Sequence, residues 1–359
     1  MKNSSAIGIM SGTSLDGVDI AHCSFQREGN NWKYSIDVAE TISYSVEWRK
    51  RLSTLMNADA LTYSRTHVEF GRHIGMLTKN FINRHQLKPD LISSHGHTIF
   101  HQPQNGLTAQ IGDGSQIAAI TDVDTVCDFR SKDIALGGQG APLVPLGDEL
   151  LFGDYDICIN LGGIANISYK KNNQRIAYDI CPVNIALNEI ASIEGKIYDE
   201  DGKLAGAGKV NKELLMQLNK LDYYKLSFPK SLGREWIDKT FLPLIFHSEI
   251  ASEDKARTVC EHIDKQISYA INDAATASNK YPLKILVSGG GAFNKYLVQL
   301  IHKSSSHEVI LPDDKTIMFR EALIFAFLGM LFVRNEINVL GSVTGASRNH
   351  ISGALYKSG

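Results

Sequence analysis

"AIGIMSGTSLDGVDIA", residues 6–21, decides how this chain is read. Two short apolar runs flank a centre made of Ser11, Gly12, Thr13, Ser14, Asp16, Gly17 and Asp19. A chain that only has to reverse direction can do so with Asn-Gly, so the hydroxyls and carboxylates gathered at this bend call for a chemical reason. The pattern predicts a β-hairpin with glycines at its turn. Successive backbone N–H groups at such a turn form a nest for phosphate oxygens, and Gly12 leaves room for close approach. The hydroxyls of Ser11, Thr13 and Ser14 add donors. Asp16 and Asp19 are poor phosphate ligands themselves, but they suit a Mg²⁺ that bridges to phosphate. An ordinary Ser/Asp turn would account for the same residues.

The plan recurs. "YDICINLGGIANISYK", residues 155–170, is again an apolar run, a glycine bend and a second apolar run. After the first hairpin, residues 65–86 place Phe70, Ile74, Leu77 and Phe81 on one helical face, then come Pro89 and a strand "LISS" running into His95-Gly96. After the second, residues 258–275 place Val259, Ile263, Ile267 and Ile271 on a helical face, then come Pro282 and "LKILVS" running into Gly289, Gly290 and Gly291. Hairpin, helix and a strand ending in glycine thus occur twice. The repeat predicts two similar α/β lobes, with a ligand in the cleft between them. The first lobe is expected over 1–132 plus approximately 345–359, the second over 133–344.

Composition narrows the partners. The chain has 359 residues, 43% of them hydrophobic, enough for a large core in two lobes. A formal charge of −2 with interspersed signs gives no basic stripe, so no nucleic-acid partner is expected. The apolar part of "MKNSSAIGIM" is too short for a signal-peptide core, and the run from Ala322 to Val333 is too short to span a bilayer and reads as a buried helix. No membrane partner is expected, and the cytoplasm is the expected compartment. Five cysteines without a CxxC pair argue against a disulfide framework or a zinc knuckle. Other nucleotide fingerprints fail: "GAGKV" at 206–210 lacks the Ser or Thr of a P-loop, and no GxGxxG stands in a strand-to-helix context.

Three further segments carry chemistry. "ISSHGHTIFHQP", residues 92–103, brings His95, His97 and His101 after a strand, an arrangement that could open a zinc hydrolase site. The other ligands such a site needs have no recognisable spacing among His247, His262, His302 and His307. "CDFRSKDIALGGQGAPLVP", residues 127–145, sets Arg130 and Asp133 beside a glycine-rich, proline-bounded loop, and Arg130 is suited to clamp a carboxylate. "YDICPVNIALNE", residues 178–189, places Asp179 past the second hairpin and ahead of a helix. Such a carboxylate is a candidate general base, or simply a helix-start residue.

Taken together, "GIMSGTSLDGVD", "SSHGHTIFHQP", "CDFRSKDIALGGQGAPLVP", "NLGGIANIS", "SGGGAFN" and "REALIFAFLGML…SVTGAS" resemble, in order and over nearly the whole chain, the anhydro-N-acetylmuramic acid kinase family. The resemblance implies the sugar kinase, Hsp70 and actin superfamily, and hence an α/β fold of two actin-like, ribonuclease H-like lobes around a central nucleotide and sugar cleft. It implies that the 1,6-anhydro bridge is opened by water while the γ-phosphoryl of ATP passes to O6, giving N-acetylmuramic acid 6-phosphate and ADP in peptidoglycan recycling. By motif position Asp179 would be the base that activates water. Gly12, Thr13, Ser14, Asp16, Gly17 and Asp19 would carry the phosphates, with Mg²⁺ at Asp16 and Asp19. Gly162 and Gly163 would close on the phosphates, and Gly289, Gly290, Gly291 and Asn294 would border the adenosine. His97, Arg130 and Glu321 would face the amino sugar, and a homodimer is implied.

The chain also departs from the family pattern. Where relatives usually read DTGPGN, this sequence has Asp179-Ile180-Cys181-Pro182-Val183-Asn184, and "HGHT" stands where HGQT is usual. Loss of a hydroxyl and two glycines could reshape one wall of the site, which keeps open a second reading: a sugar or nucleotide sensor with lost or altered turnover.

Overall fold

The structure is a computed structural model that describes residues 4–12, 15–29, 31–278 and 280–359, so Thr13 and Ser14 of the expected phosphate turn lie outside the described residues. The opening stretch is the expected hairpin. Strand β1 (Ser4–Ser11) pairs antiparallel with β2 (Gly17–Glu28), Ser11 standing opposite Val18, and β2 continues into β3 (Asn31–Ser43). On the other edge of β1 lies β4 (Leu91–Gln102), parallel to it, followed by β6 (Thr125–Cys127) parallel to β4, while β5 (Leu107–Ile111) folds back on β4.

A second sheet repeats the order. Strands β7 (Ile157–Leu161), β8 (Ile164–Lys171) and β9 (Gln174–Pro182) form an antiparallel meander; β10 (Lys284–Ser288) lies parallel on β7 and β11 (Glu308–Ile310) parallel on β10. The orders β3-β2-β1-β4-β6 and β9-β8-β7-β10-β11 correspond strand for strand. The helix before the fourth position also corresponds: α1 (Ala60–His85) precedes β4 and buries Phe70, Ile74 and Phe81, and a second long helix, Ser252–Thr276, precedes β10 and buries Val259, Ile263, Ile267 and Ile271. Both faces follow from apolar residues at three- and four-residue spacing.

The chain forms two compact units, Met1–Leu151 with Phe319–Gly359, and Phe152–Met318. These boundaries differ from those expected at 132/133 and 344/345. Residues 133–151 and 319–344 belong with the first sheet because they bond to it and to each other: the Ser93 hydroxyl of β4 donates to the Phe325 carbonyl, and Arg130, just after β6, donates to the Gly140 carbonyl. Asp133, fully buried, accepts from the Gly140 N–H and the Thr344 hydroxyl, each at 2.7 Å. Helix α2 (Val144–Leu150) sets Gly147 against Ile324. The C-terminal strand β12 (Ala354–Tyr356) pairs with β6.

Helix Asp314–Val333 is long and apolar enough to cross a membrane, but 78% of that apolar window is buried inside the protein. Its part beyond Phe319 is a core element of the first unit, as Phe325 against Phe129 and Phe327 against Phe25 show. It approaches β1 so closely that a Cβ at Gly8 would collide with the Ala322 carbonyl. Gly8→Ala is therefore expected to destabilise by about 1–3 kcal/mol, the usual cost of overpacking. A urea midpoint unchanged from the parent would refute this close approach.

Two local differences from the sequence reading bear on function. The strand at 91 does not end at Ser94 but runs to Gln102, since β5 supplies pairing partners from His97 onward. Asp179 lies past the β7–β8 hairpin and ahead of a helix, as read, but within a third strand, β9, opposite Asn166.

Candidate active site

In the first unit β1 and β4 bring Ser11 beside His97. Ser11 Oγ is 2.8 Å from His97 Nδ1 and 2.6 Å from the Tyr44 hydroxyl, and all three side chains are buried. Burial pushes His97 down to about 4, so its imidazole is neutral near pH 7. With Nδ1 engaged, only Nε2 can serve a ligand. Tyr44 escaped the sequence reading. It follows β3 with no motif around it, and only the Gly17–Ser43 pairing brings it near the hairpin turn.

Asp19 lies at the same hairpin. Its Oδ1 accepts from the Thr41 hydroxyl at 2.6 Å. Burial raises it to about 6; the Thr41 bond opposes that rise, and the neighbouring charges of Asp16 and Glu321 add to it. Glu321, on the helix just after its Phe319 kink, is likewise pushed up by burial, with Arg320 and Arg130 pulling it back and Asp16 adding to the rise. Three carboxylates and a guanidinium thus share one electrostatic neighbourhood.

Arg130 precedes a short helix, Ser131–Ala135. Its Nη1 donates to the Gly140 carbonyl at 2.6 Å, and Nε and Nη2 face His95 Nε2 at 3.1 and 2.8 Å. Burial lowers Arg130 to about 10, against the pull of Glu321 and Asp133, so it remains a cation at neutral pH. These bonds also dispose of the zinc arrangement. His95 has both ring nitrogens engaged, His97 uses Nδ1 on Ser11, and His101 lies at the exposed end of β4 beside Thr108.

In the second unit Gly162 and Gly163 form the β7–β8 turn. Their carbonyls accept from the N–H groups of Val183, Asn184 and Ile185, at 2.9, 3.2 and 3.2 Å, tying the turn to the start of α3 (Asn184–Ile193). Asn184 Nδ2 donates to the Leu161 carbonyl at 3.2 Å. Gly289 has φ +83°, and a Cβ there would lie 2.9 Å from that same carbonyl; one on Gly291 would lie 2.8 Å from the Leu161 side chain. Gly290 sits against Asn184. The two glycine stretches therefore meet around Leu161 and Asn184. Asn294 spends its Oδ1 as a helix cap, accepting from Leu297 N–H at 2.9 Å.

Asp179 is held at three points. The Tyr223 hydroxyl donates to its carbonyl at 2.6 Å, its own N–H reaches the Lys230 carbonyl at 3.4 Å, and Leu232 N–H donates to Oδ2 at 2.9 Å. Burial raises its pKa and the Leu232 bond opposes the rise. No hydrogen bond to Oδ1 occurs among the described residues, so one oxygen fixes the carboxylate while the other can take a proton.

Ile180, Cys181 and Val183, the departures from the family pattern, are all buried in the core of this unit. Val183 has φ −125°, outside the left-handed region that favours glycine.

The family model described as anhydro-N-acetylmuramic acid kinase matches residues 4–358. The anhydro-N-acetylmuramic acid kinase of Shewanella baltica (strain OS185) is 34% identical over 382 residues, with 99% of each chain covered. That of Vibrio parahaemolyticus serotype O3:K6 is 35% identical over 368 residues, covering 98% of this chain and 97% of that one. Among solved structures, the activator of 2-hydroxyisocaproyl-CoA dehydratase from Clostridium difficile is similar at TM-score 0.43 and 14% identity, over 90% of this chain and 94% of that one. With a match over almost its whole length, flanked by relatives covered end to end, the chain belongs to the anhydro-N-acetylmuramic acid kinase family.

Proposed function

We propose that the chain is an ATP- and Mg²⁺-dependent kinase that opens the 1,6-anhydro ring of anhydro-N-acetylmuramic acid with water and phosphorylates O6, a step of cytoplasmic peptidoglycan recycling. The observation that carries this reading is Asp179, a buried carboxylate with one oxygen pinned and the other open. Its open oxygen takes a proton from water as that water attacks the anomeric carbon, the arrangement of an inverting glycosidase. The C1–O6 bond breaks and O6 is captured by phosphorus, so no separate acid has to protonate the leaving oxygen. In the first unit the turn from Gly12 to Asp19 serves the phosphates, and His97 Nε2, Arg130 and Glu321 serve the sugar. In the second unit the glycines at 162–163 and 289–291 serve the nucleotide. The protein is proposed to act as a homodimer on this small amino sugar, with neither nucleic acid nor membrane as partner. Burial of Ile180, Cys181 and Val183 in the core supports this reading over a non-catalytic one.

The residues at the first hairpin fit Mg²⁺. Asp19 is a desolvated hard-oxygen donor whose ionised form Asp16 and Glu321 make costly. Asp16 and Asp19 supply the few carboxylates that an ion completing its shell with water and phosphate would use. Mg²⁺ there would neutralise charge on the transferred phosphoryl group.

A pH effect follows. Asp19, raised from 3.8 to about 6, binds a proton more tightly folded than unfolded, so its contribution to stability is present at low pH and is lost as pH rises through about 6. A cation offsets that loss. The rise in Tm on adding Mg²⁺ is expected to be larger at pH 7.5 than at pH 5. Equal rises at both would remove Asp19 as a ligand.

The deciding experiment measures ADP formed from ATP and Mg²⁺ with and without 1,6-anhydro-N-acetylmuramic acid, together with the mass of the sugar. Sugar-dependent ADP and a sugar gaining both water and phosphate are expected. ADP that does not depend on the sugar, or a sugar that gains phosphate without water, would overturn the reaction.

A further inference from the structure

Arg130 is held in an unusual way for a largely desolvated cation: by a neutral ring and a carbonyl, with no carboxylate in contact among the described residues. The tautomer of His95 follows from its partners. The Gly96 carbonyl, 2.9 Å from Nδ1, can only accept, so Nδ1 carries the ring proton and Nε2 presents its lone pair. That lone pair receives Arg130 Nε and Nη2, while Nη1 donates to Gly140. Of the five N–H bonds of the guanidinium, three are used among the described residues and two remain, one on each Nη nitrogen.

The clamp is itself braced. Gly140 is fixed because its N–H donates to Asp133, which Thr344 also holds. The imidazole packs on Phe325 with ring centroids 4.7 Å apart. Glu321 and Asp133 lie within electrostatic reach of Arg130, yet neither forms an ion pair with it among the described residues. The guanidinium is therefore immobilised without having its charge neutralised by contact, as suits a group that must bind an anion repeatedly and at little entropic cost.

We propose that His95 is a positioning residue for the sugar: it orients Arg130 so that the two remaining N–H bonds grip the carboxylate that the sugar carries. This inference rests on the sugar-side reading of Arg130 and names the feature of the sugar that Arg130 selects.

The test compares wild type with His95→Leu, His95→Gln and Arg130→Ala, on 1,6-anhydro-N-acetylmuramic acid and on 1,6-anhydro-N-acetylglucosamine, which lacks the carboxylate-bearing ether. Glutamine retains an acceptor that can reach the position of Nε2; leucine has none. His95→Leu is expected to raise the sugar KM about tenfold or more with the ATP KM unchanged, and to erase the preference for the carboxylated sugar. His95→Gln is expected to return the sugar KM to within about threefold of wild type, a rescue that a purely structural role would not give. A His95→Leu enzyme that keeps the wild-type preference overturns the inference, as does a well-folded His95→Gln enzyme that behaves like leucine. If Arg130→Ala keeps the preference, the sugar-side reading of Arg130 itself fails. If wild type phosphorylates neither sugar, the proposed reaction falls and takes this inference with it. Nitrogen NMR of the His95 ring at neutral pH checks the clamp without turnover: a protonated Nδ1 and a bare Nε2 are expected, and the opposite tautomer would refute it.

Discussion

Replacing Asp179 by asparagine is expected to lower kcat by about 10²–10⁴-fold, the range a positioned general base contributes. The substitution is nearly isosteric. Leu232 N–H can still donate to the amide oxygen, so the side chain keeps its orientation and loses only its basicity. The pH profile sharpens the test. Burial raises the pKa of Asp179, and the group must be ionised to accept a proton, so wild-type activity falls as pH drops through that raised value. The asparagine enzyme should lack this limb. Its stability should move the other way: a buried carboxylate that is costly to ionise weakens the fold above its pKa, so Asp179→Asn is expected to melt no lower than wild type at pH 8. Turnover within tenfold of wild type would disprove the role of Asp179 as base.

The second large effect concerns stability. Arg320 and Asp148 form a buried ion pair, with side chains only 5% and 3% exposed, joining the helix that carries Glu321 to α2. Asp148→Ala removes the carboxylate that compensates the guanidinium and is expected to cost about 3–5 kcal/mol, as breaking a buried pair does. Replacing both partners by apolar residues of similar size, Asp148→Leu with Arg320→Met, is expected to recover most of that loss, because neither charge is then left to desolvate. Denaturant titration of the single and double variants reads both quantities. A single variant within 1 kcal/mol of wild type would show that the pair contributes little. Glu321 follows Arg320 directly in sequence, so the single variant should also perturb the sugar KM.

Much of this was legible before any coordinates. The two hairpins, the two long helices and the strand from Lys284 running into Gly289 are local patterns, set by alternation, three- and four-residue spacing and turn chemistry, and each appeared where the sequence put it; the strand at 91, read as ending in His95-Gly96, instead runs on to Gln102 because its partner β5 lies later in the chain. The unit boundaries were not legible. No change of composition marks Leu151 or Phe319; Asp133, Gly147 and Asp148 join residues 133–151 to 319–344, and Gly8 and Ser93 join 319–344 to the first sheet, all through partners far along the chain. The candidate site divides in the same way. Arg130, Asp19 and Asp179 could be named from their motifs. What orients them could not: Tyr223 and Leu232 lie 44 and 53 residues from Asp179, and His95 lies 35 from Arg130, with no pattern linking the members of either set. The ICPV substitution reads as a change to the wall of a site; the structure adds that the Ile180, Cys181 and Val183 side chains belong to the core of the second unit.

The split of the first unit between the two ends of the chain sets a timetable for biosynthesis. Residues 152–318 are contiguous and bring all their strands with them, so that unit can fold as soon as it has left the ribosome. The first unit emerges earlier but must wait. Its central strand has no lid over Gly8 until the helix beyond Phe319 arrives, and the edge of β6 stays unpaired until Ala354–Tyr356 is made. For that interval an open sheet edge and an apolar strand face are exposed to neighbouring nascent chains. A nascent chain stalled once Met318 has cleared the ribosome, with the later residues still inside it, should therefore carry a protease-resistant second unit behind a first unit that is still cleavable and dependent on chaperones.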